Sequence, residues 1–318
     1  MGIAGCGNGN LRRGAGQGIA ACGRLRARRG FGTCPPMTHA LFSVMLALVL
    51  AVRITAAPPV AVNDREVFGR MQKFAEEQIA SDHGTKAADL IAQLDRVSCE
   101  VKLAPFATGA IPLPDLVLQR RAAVGVIGGL FKCKKCTNWH VSAASGFFIG
   151  ASGVFVTCHH VINSAEKETF VVLTGDGRLA PVREVLAADA AADVAIVRCE
   201  GEGFAAAPLA ADAPVGAPIT VLGHPNDHFF SLTQGIISRY FVEARPRKTE
   251  MLSITADFAK GSSGAPVFDA AGNVVGMVSN TQSVYYDEKN GHAENLQMVF
   301  KNCVTAKSIL RLVKPAGS

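Results

Sequence analysis

The chain is poor in charged residues and in large aromatic residues. Charged residues make up 18% of its 318 residues, and it contains one tryptophan and three tyrosines. The net charge of +6 arises in residues 1–36, which hold six arginines and no acidic residue, so the remainder carries 26 residues of each sign. Because phosphate binding requires a basic face, this balance predicts that nucleic acid is not a partner.

The N-terminal region lacks an apolar run of full transmembrane length. Ala40–Val52 is apolar over 13 residues, whereas a membrane-spanning helix needs about 20. This length is typical of the apolar part of a signal peptide, and Ala57 is the expected new N-terminus. We therefore predict that residues 1–57 are a leader, with Met37 as an alternative start, and that the protein is exported to the periplasm or secreted. An uncleaved membrane anchor is the alternative.

What the chain does have is a serine between two glycines, in Gly261-Ser262-Ser263-Gly264, followed directly by Ala265-Pro266. Flanking glycines allow a tight turn on which backbone N–H groups converge. Such a turn suits a nucleophile of acyl transfer, because the developing oxyanion needs preorganised donors. Since a serine hydroxyl is a weak nucleophile by itself, the interpretation requires a base and an orienting acid elsewhere in the chain.

Both groups precede the serine. His160 follows a β-branched and aromatic run ending at Thr157, which predicts a strand that delivers an imidazole at its end. Asp193 stands before the apolar run Val194–Val197, where it can accept the histidine Nδ1–H and fix the tautomer. The neighbouring His159 is expected to point to the opposite face of the same strand.

These segments resemble the motifs of chymotrypsin/trypsin-like serine proteases, nearest to the bacterial HtrA-type branch. Thr157-x-x-His160-Val161, Asp193-Val-Ala-Ile-Val and Gly261-Ser-Ser263-Gly-Ala-Pro match that family's three catalytic motifs in the family's order. The resemblance covers about residues 120 to 312, and the C-terminus leaves no room for the PDZ domain that many HtrA-type proteases carry.

The resemblance implies a serine endopeptidase that acts on protein or peptide substrates, with no cofactor. Ser263 would be the nucleophile, His160 the base and Asp193 the orienting acid, and the N–H groups of Gly261 and Ser263 would form the oxyanion hole. Ser279 resembles the residue that hydrogen-bonds the catalytic aspartate, and Asn280 would lie along the substrate backbone.

The sequence does not decide which residue sets the substrate specificity. Asp257 lies six residues before Ser263, as does the aspartate of the trypsin S1 pocket, which would favour arginine or lysine at P1. In the HtrA-type interpretation, Thr255-Ala-Asp257 is a shortened loop segment, and the P1 preference is for small apolar residues.

The pattern of short apolar runs between turns predicts an all-β fold of two antiparallel six-stranded β-barrels. A helical N-terminal extension is expected at 58–119, and the protease domain at 120–318. Within that domain, barrel one covers about 120–205, barrel two about 215–312, and a short helix lies at the C-terminus. His160 and Asp193 would come from barrel one and Ser263 from barrel two.

Six cysteines follow the leader, and in an exported protein they permit disulfides whose pairing the sequence does not specify. They are Cys99, Cys133, Cys136, Cys158, Cys199 and Cys303. Cys133 and Cys136 form either a tight disulfide or half of a zinc site with His140, Cys158 and His159. Because no second clean pair follows at zinc-finger spacing, we predict no metal site.

Two other functions compete with the endopeptidase. A catalytically inactive protease-fold binding module would need no complete triad. An esterase of the α/β-hydrolase type would need a Gly-x-Ser-x-Gly motif, but position 265 is alanine, and its histidine would come last in the chain. The oligomeric state does not follow from the sequence.

Overall fold

Two closed β-barrels of six strands each make up most of the structure. A computed structural model describes residues 61–244, 248–289 and 292–315. The first barrel has the strand order β2-β3-β4-β7-β6-β5. Its strands are β2 (Val124–Lys132), β3 (Trp139–Gly150), β4 (Val154–Thr157), β5 (Thr169–Thr174), β6 (Leu179–Asp189) and β7 (Val194–Cys199).

The second barrel has the order β10-β13-β12-β11-β8-β9. Its strands are β8 (Pro218–Gly223), β9 (Ser231–Glu243), β10 (Thr249–Ile254), β11 (Pro266–Phe268), β12 (Val274–Lys289) and β13 (His292–Thr305). All neighbouring strands in both barrels are antiparallel. The predicted all-β, two-barrel fold is therefore confirmed.

The described residues also form helices, which precede, connect or follow the barrel strands. They are α1 (Asp64–Ala80), α2 (Ala87–Ile91), α3 (Leu113–Arg120), the single turn α4 (His159–Ile162) and α5 (Ala306–Leu310). Asn63 caps α1, since its Oδ1 accepts the Glu66 N–H at 3.2 Å. Helices within the described ranges are all too short or too polar to span a bilayer. The predicted leader, residues 1–57, lies outside the described residues.

Helix α1 explains why β2 is buried on both of its faces. Val67, Met71 and Ala75 recur at helical spacing on one side of α1 and pack against Val126 and Leu130 of β2. Ile127 and its neighbours on the other face of β2 pack inside the barrel. A strand covered on both faces is continuously apolar rather than alternating, as the sequence of β2 is.

Several elements differ from the sequence-based expectations. Strand β6 was not expected, because its arginine, glutamate and proline interrupt the apolar pattern. The short helix expected at the C-terminus is present as α5, which begins directly after β13 ends at Thr305.

Strands β1 (Cys99–Val101) and β14 (Val313–Pro315) form a separate two-stranded parallel sheet. They join the region before the barrels to the C-terminal end of the described chain. Neither was expected from the sequence, since a three-residue strand carries almost no periodic signal.

The fold also brings the ends of particular strands together. In the β4–β7 pair, Thr157 lies opposite Ala195, so the segment after β4 meets the segment before β7. In the β11–β12 pair, Pro266 lies opposite Met277, so the turn before β11 lies near the middle of β12. These two registers position the residues considered next.

The core of barrel one gives a stability prediction. Phe155 is fully buried, and its ring meets Phe148 edge-to-face with 4.8 Å between centroids. Because truncation leaves a cavity, Phe155→Ala should lower the free energy of unfolding by about 3–5 kcal/mol. Urea denaturation measures the change. Phe106→Ala, at a ring that is 61% exposed, is the matched control and should change stability by less than about 1 kcal/mol; equal losses for the two variants would contradict the packing.

Candidate active site

His160 and Asp193 form a close pair at the edge of barrel one. The His160 Nδ1 atom lies 3.0 Å from both carboxylate oxygens of Asp193, and the His160 backbone N–H donates to Asp193 Oδ1 at 3.1 Å. The hydrogen bond from Asp193 raises the pKa of His160 above its ordinary value, and it outweighs the opposing effect of burial. The contact fixes the tautomer with Nδ1 protonated and leaves Nε2 as the free base.

A helical turn, and not a strand, presents this histidine. His159 and His160 are the first two residues of α4, shortly after the end of β4. The sequence analysis had placed them on opposite faces of a strand, and this expectation was wrong because the two residues are helical. Successive helical residues nevertheless point in different directions. Of the two histidines, His160 contacts the Asp193 carboxylate, whereas the His159 backbone N–H donates to the Asp193 carbonyl oxygen at 3.2 Å.

The Asp193 carboxylate also receives a donor from the other barrel. Ser279 Oγ, on β12, donates to Asp193 Oδ2 at 2.8 Å. Burial acts to raise the pKa of Asp193, but the hydrogen bonds from His160 and Ser279 outweigh it and hold the pKa below its ordinary value. Asp193 has a φ of +55°, a conformation that aspartate tolerates better than most residues.

A series of hydrogen-bonded amide and hydroxyl groups connects Ser279 of β12 to β13 and β10 of barrel two. Asn280 Nδ2 approaches Ser279 Oγ at 3.4 Å, and Asn302 Nδ2 donates to Asn280 Oδ1 at 3.2 Å. Ser253 Oγ in turn donates to Asn302 Oδ1 at 2.9 Å. The sequence analysis missed Asn302 and Ser253, because isolated polar residues within apolar strands carry no motif.

Ser263 lies on the turn before β11, and barrel one holds that turn. The Ser145 N–H donates to the Ser263 carbonyl oxygen at 2.9 Å, and Ser145 Oγ donates to the Gly261 carbonyl oxygen at 2.9 Å. A Cβ atom on Gly264 would lie 2.0 Å from the Ser145 carbonyl oxygen, and Gly264 has a φ of +92°. Only glycine fits so close a backbone approach.

The same turn presents two unused backbone donors. The Asn226 N–H donates to the Lys260 carbonyl oxygen at 2.6 Å. Because the C=O and N–H of a trans peptide point in opposite directions, the Gly261 N–H faces away from Asn226. Within the described residues, neither the Gly261 N–H nor the Ser263 N–H donates to another protein atom.

The Ser263 hydroxyl is not hydrogen-bonded to the histidine. Ser263 Oγ donates to the Ser279 carbonyl oxygen at 3.4 Å, which is a long and weak contact. Ser279 therefore touches both Ser263 and Asp193, through its carbonyl oxygen and its hydroxyl respectively.

Two cavities adjoin these groups. One, of about 330 Å³, is lined by His160, Asp193, Ser279, Asn280 and several neighbours from both barrels. The other, of about 190 Å³, lies beside Ser263. It is lined by Phe258, Ala259, Lys260, Ser263, Val278, Ser279, Asn280 and Thr281.

Asp257 does not line the cavity beside Ser263. Its side chain is 86% exposed, and its Oδ1 atom lies 3.3 Å from Lys301 Nζ. The structure thus brings Ser279 and Asn280 to the site but leaves Asp257 outside it. The trypsin-like alternative for Asp257 remains a prediction that the mapping of cleavage sites tests.

All six cysteines in the described part of the chain are free thiols. Cys158, next to the histidine turn, is buried, and its Sγ–H donates to the Val278 carbonyl oxygen at 3.3 Å. Burial also raises the pKa values of the Cys158, Cys199 and Cys303 thiols. These three cysteines are therefore unreactive packing residues.

Parts of the chain are similar to known serine proteases. Residues 144–277 match the model of the trypsin-like peptidase domain, a segment that contains His160, Asp193 and Ser263. A probable periplasmic serine endoprotease, DegP-like, of Halomonas elongata is 32% identical over 142 residues, which are 43% of this chain and 29% of that protein. A putative serine protease, HhoA, of Synechocystis is 33% identical over 142 residues, which are 42% of this chain and 35% of that protein.

The chain thus matches only about a fifth to a third of the length of such curated relatives. Among solved structures, the HtrA-type protease AlgWS227A with decapeptide superposes with a TM-score of 0.50 and 18% identity, covering 63% of this chain and 65% of that one. At that identity the likeness concerns the fold. Residues 144–277 are therefore similar to a trypsin-like peptidase domain, serine proteases are among the sequence relatives of the chain, and its fold is similar to that of an HtrA-type protease.

Proposed function

We propose that this protein is a serine endopeptidase that hydrolyses peptide bonds through an acyl-enzyme intermediate, with Ser263, His160 and Asp193 as the catalytic triad. The observation that carries the proposal is the Asp193 carboxylate, which contacts His160 Nδ1 at 3.0 Å and accepts a hydrogen bond from Ser279 at 2.8 Å. A carboxylate held in this way keeps a histidine in the tautomer that a general base needs.

The two barrels contribute different groups to the reaction: His160 and Asp193 come from barrel one and Ser263 from barrel two. Ser263 Oγ attacks the scissile carbonyl carbon, while His160 Nε2 takes its proton and then gives it to the leaving amine. Water then repeats the sequence on the acyl-enzyme and frees Ser263. The weak bond from Ser263 Oγ to the Ser279 carbonyl oxygen allows the hydroxyl to turn towards His160 when substrate binds, as free enzymes often require.

The oxyanion hole is formed by the N–H groups of Gly261 and Ser263. Both donors lack a protein acceptor within the described residues, and the Asn226–Lys260 hydrogen bond directs the first of them. Preorganised donors of this kind stabilise the negative charge of the tetrahedral intermediate without reorganisation during the reaction.

The cavity beside Ser263 supports a preference for small apolar P1 residues. Its volume of about 190 Å³ limits the size of the P1 side chain, and its lining combines the apolar residues Phe258, Ala259 and Val278 with Lys260 and several polar residues. With Asp257 outside this cavity, no carboxylate lines it to pair with arginine or lysine at P1. Asn280 lines the same cavity and would contact the substrate backbone.

The organisation of the whole chain is part of the proposal. Residues 1–57 are a leader, 58–119 a helical extension, and 120–318 the protease domain. We propose export of the mature protein, which agrees with the word "periplasmic" in the description of the Halomonas relative. The substrates are proteins or peptides, and the decapeptide of the structural neighbour supports that class.

The triad prediction separates an enzyme from an inactive binding module. Ser263→Ala should abolish cleavage of an unfolded protein substrate while leaving the melting temperature nearly unchanged, because it removes only the nucleophile. Asp193→Asn should lower kcat by about 10⁴, because the amide favours the wrong His160 tautomer. The measurement is steady-state proteolysis.

His159→Ala is the matched control for His160→Ala. The control should keep near-normal turnover, since His159 does not contact the Asp193 carboxylate, whereas His160→Ala should be inactive. If His160→Ala retained activity and His159→Ala lost it, the assignment of the base would be wrong.

The pH dependence follows from the direction of the His160 pKa. Because Asp193 raises that pKa, kcat/KM should fall as the pH drops through a value above about 6.5, the ordinary value for histidine, where His160 becomes protonated and loses its basicity. In Asp193→Asn, the His160 pKa should be lower than in the wild type. NMR titration of the His160 ring measures both values; an unchanged pKa in the variant would contradict the proposed contact.

The specificity prediction rests on the small volume of the cavity beside Ser263 and on the absence of a carboxylate from its lining. Digestion of a denatured protein mixture, followed by mass spectrometry of the products, should show cleavage after alanine, valine or leucine. Asp257→Asn should leave this distribution unchanged. Predominant cleavage after arginine or lysine, lost in Asp257→Asn, would instead restore Asp257 as the S1 residue.

A further inference from the structure

Three metal-ligating side chains cluster at one end of barrel one, at the turn that joins β2 to β3. They are Cys133 and Cys136 in the turn and His140, the second residue of β3. Their Sγ and imidazole nitrogen atoms all lie within 4.8 Å of one another. Cys136 Sγ is 3.0 Å from His140 Nε2.

The backbone of this turn brings the two thiols together. The Cys133 N–H donates to the Asn138 carbonyl oxygen at 2.9 Å, and the Thr137 N–H donates to the Cys133 carbonyl oxygen at 3.0 Å. Thr137 has a φ of +60°, a left-handed conformation uncommon for a β-branched residue. The turn is therefore tightly closed around the C-x-x-C segment.

Backbone donors are directed at the first thiol. The backbone N–H groups of Cys136 and Lys135 face Cys133 Sγ. Hydrogen bonds around a metal site orient its ligands.

We propose that Cys133 Sγ, Cys136 Sγ and His140 Nε2 bind a zinc ion, with a fourth position open to water or another ligand. Zinc prefers sulfur and imidazole ligands in a tetrahedral arrangement, with bonds of about 2.3 Å to sulfur and about 2.0 Å to nitrogen. Those bond lengths put the ligand atoms roughly 3.5–4 Å apart, so the clustered atoms need only small side-chain adjustments. This proposal departs from the sequence-based expectation of no metal site.

The ligand set differs from the one considered in the sequence. Cys158, which had been considered together with this pair, instead lies in a separate cluster with His160 and Asp193. The site therefore consists of one short segment, 133–140, and is independent of the proposed catalytic groups. Its existence does not depend on the proposed peptidase activity.

The site has a structural consequence for the neighbouring strand. Beyond His140, the β3 residues Val141, Ser142 and Ala143 line a cavity of about 140 Å³ together with Gly261 and Lys260. A metal bound at 133–140 would fix the beginning of β3 and hence one wall of that cavity. Binding replaces the thiol protons by the metal, so one zinc ion releases up to two protons and its affinity falls as the pH falls.

Cobalt(II) titration tests the site directly, because thiolate-bound cobalt has a near-ultraviolet charge-transfer band. The full chain is used with Cys6→Ser, Cys22→Ser and Cys34→Ser, under a phosphine reductant, so that thiols of the predicted leader do not contribute. We expect one equivalent of cobalt to bind with tetrahedral visible bands and to be displaced by zinc. Cys133→Ser and Cys136→Ser should each weaken binding by more than about 100-fold, and His140→Ala should weaken it and alter the visible bands.

Cys99→Ser and His83→Ala are the matched controls, since both residues lie outside the cluster, and both should bind cobalt like the parent. Circular dichroism checks that each variant is folded. Failure of the reduced, folded parent to bind one equivalent would overturn the proposal, as would binding that is unaffected in Cys133→Ser and Cys136→Ser. A Cys133–Cys136 disulfide in metal-free protein purified without reductant would overturn it in favour of a redox bond.

Discussion

The Asp193 carboxylate is the point at which the two barrels share one set of hydrogen bonds. It contacts the side chain and backbone of His160 from barrel one and accepts the Ser279 hydroxyl from barrel two. A half-buried carboxylate is costly unless its oxygens are satisfied, and here donors from both barrels satisfy them. The relative position of the two barrels and the ionisation of His160 and Asp193 are therefore coupled through the Asp193 carboxylate. Hydrogen bonds of Asn280 and Asn302 connect Ser279 to further strands of barrel two.

Ser145 makes a second connection between the barrels, in which donors of barrel one bind the turn that carries Ser263 in barrel two. From β3 of barrel one, its N–H and hydroxyl hold the carbonyl oxygens of Ser263 and Gly261 in the turn of barrel two. With those carbonyl oxygens occupied, the N–H groups of the same turn remain available to a ligand. The close contact at Gly264 requires the absence of a side chain, which explains the glycine that follows Ser263.

The sequence predicted the features that depend on local pattern. Two barrels follow from short apolar strands between turns, and the juxtaposition of His160, Asp193, Ser263 and Ser279 was expected from the resemblance of their motifs. Features that depend on tertiary packing were missed. Strand β6 carries charged residues on its solvent face, β1 and β14 exist only because they pair with each other, and Asn302 matters through contacts across the sheet. Asp257 was ambiguous because the course of the loop before Ser263 decides where its carboxylate lies.

The central claim is that Ser263 is a nucleophile activated by His160 and Asp193. Reaction of the folded protein with a fluorophosphonate, followed by peptide mapping, tests it most directly, because the probe phosphonylates only serines that a neighbouring base activates. The account predicts one adduct per chain, on Ser263, and none in a His160→Ala variant. A folded protein that remains unlabelled, or one labelled at another serine with Ser263 unmodified, would contradict it.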